Sequence, residues 1–150
     1  MNNLMSVRDE ENAVLNDLRE VFREVISSSM SSFVYEMIKL SLEKRLGSDP
    51  FEALWSNPKA FYNALHGFFG SGTDVFLKVL IDGINRKYGL NLSGDEFVNL
   101  IRSDNEKSIA KWHNLLKKIS ASYRKRAWRE NEEPSPGGGR KWILREWKLA

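Results

Sequence analysis

Residues 104–130 read DNEKSIAKWHNLLKKISASYRKRAWRE. Ile109, Trp112, Leu116, Ile119 and Tyr123 recur at three and four, the period of a helix with one apolar face. No Pro or Gly interrupts them, so the stretch predicts one long helix that begins after Asp104 and reaches about Arg129. At about 100° of turn per residue, Lys107, Lys111, Lys118, Lys125 and Arg129 fall within roughly 40° of one another. Their common direction is opposite the core face. Trp128 falls on the flank of this basic stripe, not on the core face.

Toward the N-terminus the same period returns. Val14, Leu18, Val21, Phe22 and Val25 predict a helix over 9–26, with Asp9, Glu10 and Glu11 suited to the positive end of its dipole. Ser27, Ser28 and Ser29 are expected to interrupt it or to mark a turn. A second helix is expected from about Ser31 to Leu46, with Phe33, Met37, Leu40 and Leu42 inward. Gly47 caps it and Asp49-Pro50 closes it. Phe51 to Trp55 reads as a short helical turn. Asn57-Pro58 starts the next helix, because Asn caps and Pro has no N–H to waste at the first position. That helix carries Phe61, Leu65, Phe68 and Phe69 and ends at Gly70. Another begins at Ser71-Gly72-Thr73 and carries Phe76, Val79, Leu80, Ile84 and Tyr88, with Gly89 as its cap. Ser93 and Glu96 have capping-box spacing ahead of Phe97, Val98, Leu100 and Ile101.

Toward the C-terminus the composition changes. Glu130 to Gly139 holds two prolines and three consecutive glycines and reads as a linker over 131–139. Residues 140–150 follow as a basic arm with Trp142, Ile143, Leu144, Trp147 and Leu149. Ile143, Trp147 and Ala150 share one helical face, whereas Trp142 to Leu144 could extend as a strand. So many apolar side chains predict docking, on the body or on a partner.

Charge is segregated in the same way. Residues 111–150 hold eleven Lys or Arg against four Glu, a balance of +7, and residues 1–110 hold twelve against sixteen acids, a balance of −4. A near-neutral body with a basic, tryptophan-rich end points to an anionic partner. The stripe of Lys107, Lys111, Lys118, Lys125 and Arg129 can neutralise phosphates. Arg140, Lys141, Arg145 and Lys148 add a second basic point, and Trp128, Trp142 and Trp147 can stack on bases or insert into a partner. Three readings of this end stay open: nucleic-acid contact, protein contact, or a solvated helix face with a packed tail. The arm's composition also fits a lipid interface.

The chain has no cysteine, which removes disulfides, thiolate catalysis and Cys-ligated metal. His66 and His113 are its two histidines, too few for a histidine-built metal site. No stretch approaches the length of a membrane-spanning segment, and the polar, acidic start is unlike a signal or transit peptide. A cytoplasmic protein without a cofactor is expected. Phe68-Phe69-Gly70-Ser71-Gly72-Thr73 contains glycines but lacks the frame and lysine of a phosphate-binding loop, so it reads as a helix–helix corner. His66, His113 and the Asp74/Asp82 pair lack the partners that acid–base chemistry needs. An enzyme acting on a small molecule would need a deep polar pocket near Ser71 to Asp74 or His66, and remains the remote alternative.

Residues 31–92 resemble small helical output domains of archaeal sensory and signalling proteins. The resemblance is carried by Asn57-Pro58, Phe61, Leu65, Phe69-Gly70-Ser71-Gly72, Leu80-Ile81 and Tyr88-Gly89-Leu90. It implies an archaeal cytoplasmic setting and a regulatory, non-enzymatic role, with no catalytic residues to carry over.

The expectation is therefore an all-α protein. A compact irregular bundle of five to six helices fills 1–130, followed by the linker over 131–139 and the amphipathic arm over 140–150. The expected function is regulatory binding of nucleic acid, or of a nucleic-acid-handling complex, through the basic end. The alternative is a protein-interaction or homo-oligomerisation module that docks its Trp-rich arm.

Overall fold

The computed structural model describes residues 7–132. The described residues are all-α: α1 (Val7–Ser29), α2 (Ser32–Leu46), α3 (Pro50–Ser56), α4 (Pro58–Phe69), α5 (Thr73–Tyr88), α6 (Gly94–Arg102) and α7 (Glu106–Glu132). Six are long, and the seven-residue α3 is the helical turn expected around Phe51 to Trp55. A 3-10 turn over Gly70–Gly72 joins α4 to α5. No described helix is long and apolar enough to cross a membrane.

Local chemistry sets the breaks between helices. The Ser31 hydroxyl accepts from the Val34 N–H at 3.1 Å and starts α2. Asp49 accepts from the Phe51 N–H, so Asp49-Pro50 opens α3 and does not merely close what precedes it. Its carboxylate also pairs with Arg19 of α1. Asn57 accepts from the Ala60 N–H and Ser93 from the Glu96 N–H, starting α4 and α6. Gly89 ends α5 at φ 68°, a conformation that side chains resist, and its N–H bonds to the Asn85 carbonyl.

Three expectations fail. Ser27 to Ser29 do not break α1, which continues to Ser29 because buried Val25 and Ile26 hold that turn against the core. In α2 the inward residues are Tyr35, Ile38 and Leu42, while Phe33, Met37 and Leu40 face outward. Val79 and Phe68 are also exposed, not core.

The core joins Leu18, Val21 and Phe22 of α1 to Leu77, Ile81 and Ile84 of α5 and to Trp112, Leu116 and Ile119 of α7. Trp112 is fully buried, and its indole N–H donates to the Leu54 carbonyl at 2.7 Å. α1 packs on α2, α5 and α7, and α4 packs on α2 and α6. Polar contacts tie α1 to α7. Asp17 accepts from Ser120 at 2.6 Å and from Arg124 at 2.5 Å. Further along, Tyr88 of α5 sits between Glu24 and the Tyr123 ring. Arg126 of α7 donates to the Lys87 carbonyl, so the last turn of α5 lies beside α7.

Candidate nucleic-acid interface

Where the last turn of α5 meets α7, the two helices enclose an open groove of about 440 Å³. Its walls carry Arg86 and Lys87 from the last turn of α5, and Lys125, Arg126 and Arg129 from α7. No carboxylate lines it among the described residues. Gly89 makes the groove possible, because stopping α5 there leaves its last turn open toward α7.

Beneath the cations lies a fixed floor. The Tyr88 hydroxyl donates to Glu24 Oε1 at 2.8 Å, and the Tyr88 and Tyr123 rings meet edge to face at 6.0 Å. Burial, and then the bond to Glu24, hold the Tyr88 hydroxyl well above the ordinary tyrosine range, so it stays a neutral donor. Glu24 also lies 3.6 Å from the Lys87 ammonium, and Arg126 donates to the Lys87 carbonyl at 2.7 Å. Arg126 closes a further pair with Glu130 at 3.1 Å. Lys87 and Arg126 are thus engaged in building the groove. Arg86, Lys125 and Arg129 make no ion pair with any described residue, and their charge faces the opening.

The lysine stripe continues from the groove along α7. Lys107, Lys111, Lys118, Lys125 and Arg129 are all exposed, and none pairs with a described acid. From Lys107 to Arg129 the stripe runs about 33 Å at 1.5 Å per residue. Trp128 is 65% exposed beside the groove. Arg140, Lys141, Trp142, Arg145, Trp147 and Lys148 lie outside the described residues. So does the expected linker from Glu133 onward; its first two positions belong to α7.

Arg86 and Lys87 were not singled out in the sequence. They stand 38 or more positions before Lys125, and folding alone brings them together. A weak signal was present: two cations just ahead of a Gly helix stop, where they also offset the negative end of the α5 dipole.

His113, Asp74 and the glycine turn have structural roles. The His113 ring stacks on Trp55 at 3.8 Å between centroids, and its Nε2 lies 2.8 Å from the Trp55 carbonyl. Asp74 accepts from the Tyr62 hydroxyl at 2.7 Å and pairs with Arg102 at 3.3 Å. The glycine turn is a corner, closed by the Thr73 hydroxyl donating to the Gly70 carbonyl at 2.7 Å. No group of three His, Asp or Glu among the described residues could hold a metal.

Compared with known proteins, the chain matches no family model, no curated protein and no solved structure. Of the motif residues behind the resemblance over 31–92, Asn57, Gly70 and Gly89 act in this fold as helix starts and stops, and Phe61, Leu65, Leu80 and Ile81 are buried in the core.

Proposed function

We propose that this protein is a non-enzymatic regulator that binds nucleic acid through its basic end. The observation that carries this reading is the α5–α7 groove: Arg86, Lys125 and Arg129 converge on one opening without a carboxylate, continuous with the exposed lysines of α7. Phosphates entering there meet two guanidinium forks, which match phosphate oxygens in pairs. Lys118, Lys111 and Lys107 then track the backbone along the helix. Trp128 stands where an unpaired base could stack on its face. Arg140, Lys141, Arg145 and Lys148 supply a second basic point. Nothing in this set reads base edges, so binding is expected to be mainly electrostatic. The reading includes the archaeal, cytoplasmic, regulatory setting that the resemblance over 31–92 implies.

The test is an anisotropy titration with single- and double-stranded oligonucleotides at several salt concentrations. Affinity should fall linearly in log–log form with salt, by about 0.7 to 0.9 of a power per phosphate engaged. Changing Lys125→Glu and Arg129→Glu together should weaken binding at low salt by at least tenfold and flatten the slope by about two. Both side chains are exposed, so helical content should not change. A chain ending at Glu133 should keep groove binding and lose the contribution of residues 140–150. An absence of binding at low salt, or an affinity indifferent to salt, refutes the proposal.

A further inference from the structure

The α5–α7 groove holds more positive charge than one backbone phosphate of a nucleic acid can neutralise. Arg86, Lys87, Lys125, Arg126 and Arg129 line it, five cations in all. Two acids offset them: Glu24 lies 3.6 Å from Lys87, and Glu130 lies 3.1 Å from Arg126. Five less two leaves a net charge of +3. A bridging phosphate diester carries a single negative charge. The groove's volume of about 440 Å³ is that of a small-molecule site, room for roughly one nucleotide and not for a length of duplex. The space therefore suits an anion of higher charge than a diester.

We propose that the groove receives a phosphomonoester, the terminal phosphate of a nucleic-acid strand. The proposal rests on the nucleic-acid reading above and names the part of the strand that the groove takes. A terminal phosphate brings about 1.5 to 2 negative charges at pH 7, and the first diester adds one more, which together nearly balance the groove. It also has three free oxygens where a bridging phosphate has two. Arg86 on the α5 wall and Arg129 on the α7 wall can each take a pair of oxygens in a guanidinium fork. Ser122 lines the same groove, half-buried, and its hydroxyl has no hydrogen-bond partner among the described residues. It is free to donate to the remaining oxygen. Arg126 already covers the Lys87 carbonyl at 2.7 Å, so the negative end of α5 opposes an incoming anion less.

A phosphomonoester can belong to a strand end or to a free nucleotide, and the surface beside the groove favours the strand. Viewed down α7 at about 100° per residue, Ser122, Arg126 and Arg129 share the groove side, Lys125 stands at the rim, and Trp128 lies about 60° beyond Lys125. A terminal nucleotide with its phosphate in the groove can cross Lys125 and lay its base on the exposed indole. The phosphates that follow meet Lys118, Lys111 and Lys107, exposed in line with the rim. A free nucleotide would leave those three lysines unused.

The experiment titrates the full chain with internally labelled single strands that carry a phosphate on the 5′ end, on the 3′ end, or on neither. An unphosphorylated strand two nucleotides longer has the same net charge as the phosphorylated ones and serves as the control. One phosphorylated strand should bind about tenfold more tightly than this control. Arg86→Glu, an exposed change outside the lysine stripe, should erase that preference without altering helical content by circular dichroism. Lys111→Glu should weaken every strand alike and keep the preference. Adenosine 5′-monophosphate alone should bind far more weakly than the phosphorylated strand. Equal affinity for all the strands overturns the terminal-phosphate proposal and leaves nucleic-acid binding standing. A preference that survives Arg86→Glu overturns the groove as its seat. A mononucleotide that binds as tightly as the strand overturns the strand end as the occupant, in favour of a free nucleotide. No binding by any strand at low salt overturns the nucleic-acid reading, and this proposal with it.

Discussion

At Gly83 the backbones of α1 and α5 come too close for a side chain. A Cβ added there would lie 2.5 Å from Val25 Cγ1, a contact real Cβ atoms essentially never make. Val25 is buried and β-branched, so its methyl cannot swing aside cheaply. Alanine would bring up to about 1 kcal/mol of helix propensity over glycine. Overpacking a tight core costs about 1–3 kcal/mol. The clash should win, and Gly83→Ala is expected to destabilise the fold by about 1 kcal/mol or more, measured by urea unfolding. Val25→Ala opens the space, so the double variant should show strong coupling instead of two added losses. A Gly83→Ala chain as stable as its parent would mean that α1 and α5 are not packed this closely.

α2 shows most clearly what the sequence could and could not disclose. Its ends were legible, because Gly47 and Asp49-Pro50 act within a few residues of where they stand. Asn57-Pro58, Gly89 and Ser93 were legible for the same reason. Its inward face was not. Phe33, Met37 and Leu40 have the same helical period as Tyr35, Ile38 and Leu42, so periodicity offered two faces and no means of choosing. Contacts with α1, α3 and α4 made the choice. The candidate site divides along the same line. The stripe on α7 follows from local spacing, whereas Arg86 and Lys87 join it only through the way α5 packs beside α7. One pair of variants tests which face of α2 is buried. Leu42→Ala should cost about 2–5 kcal/mol, as deletions in a packed core do. Leu40→Ala, two positions away, should stay within about 0.5 kcal/mol in the chain ending at Glu133. Equal losses, or losses in the reverse order, would contradict the observed orientation.

Across the whole molecule, tyrosines tie the helices together and make stability depend on alkaline pH. Tyr35 of α2, Tyr62 of α4, Tyr88 of α5 and Tyr123 of α7 all have hydroxyls held above the ordinary value of 10.0, with burial the largest cause in each case. Tyr62 and Tyr88 also donate to carboxylates, Asp74 and Glu24, so ionisation would set two negative oxygens against each other. A raised folded-state value means that the folded chain keeps protons which the unfolded chain releases. The resulting stability is fully present below pH 10. It declines above that value as the unfolded chain ionises, and is spent once pH passes the folded-state value. For buried Tyr88 alone the slope approaches about 1.4 kcal/mol per pH unit in that window. Melting temperature should therefore fall clearly between pH 9 and pH 11 in the parent chain. Tyr88→Phe should lose about 1 kcal/mol at pH 8 with its hydrogen bond to Glu24. It should then decline less steeply than the parent above pH 10, because the group whose ionisation opposes folding most strongly is gone. If the two chains lose stability in parallel from pH 9 to pH 11, the Tyr88–Glu24 contact is not what alkali breaks. The floor of the α5–α7 groove would then be held by the Tyr88 and Tyr123 rings and not by that hydrogen bond.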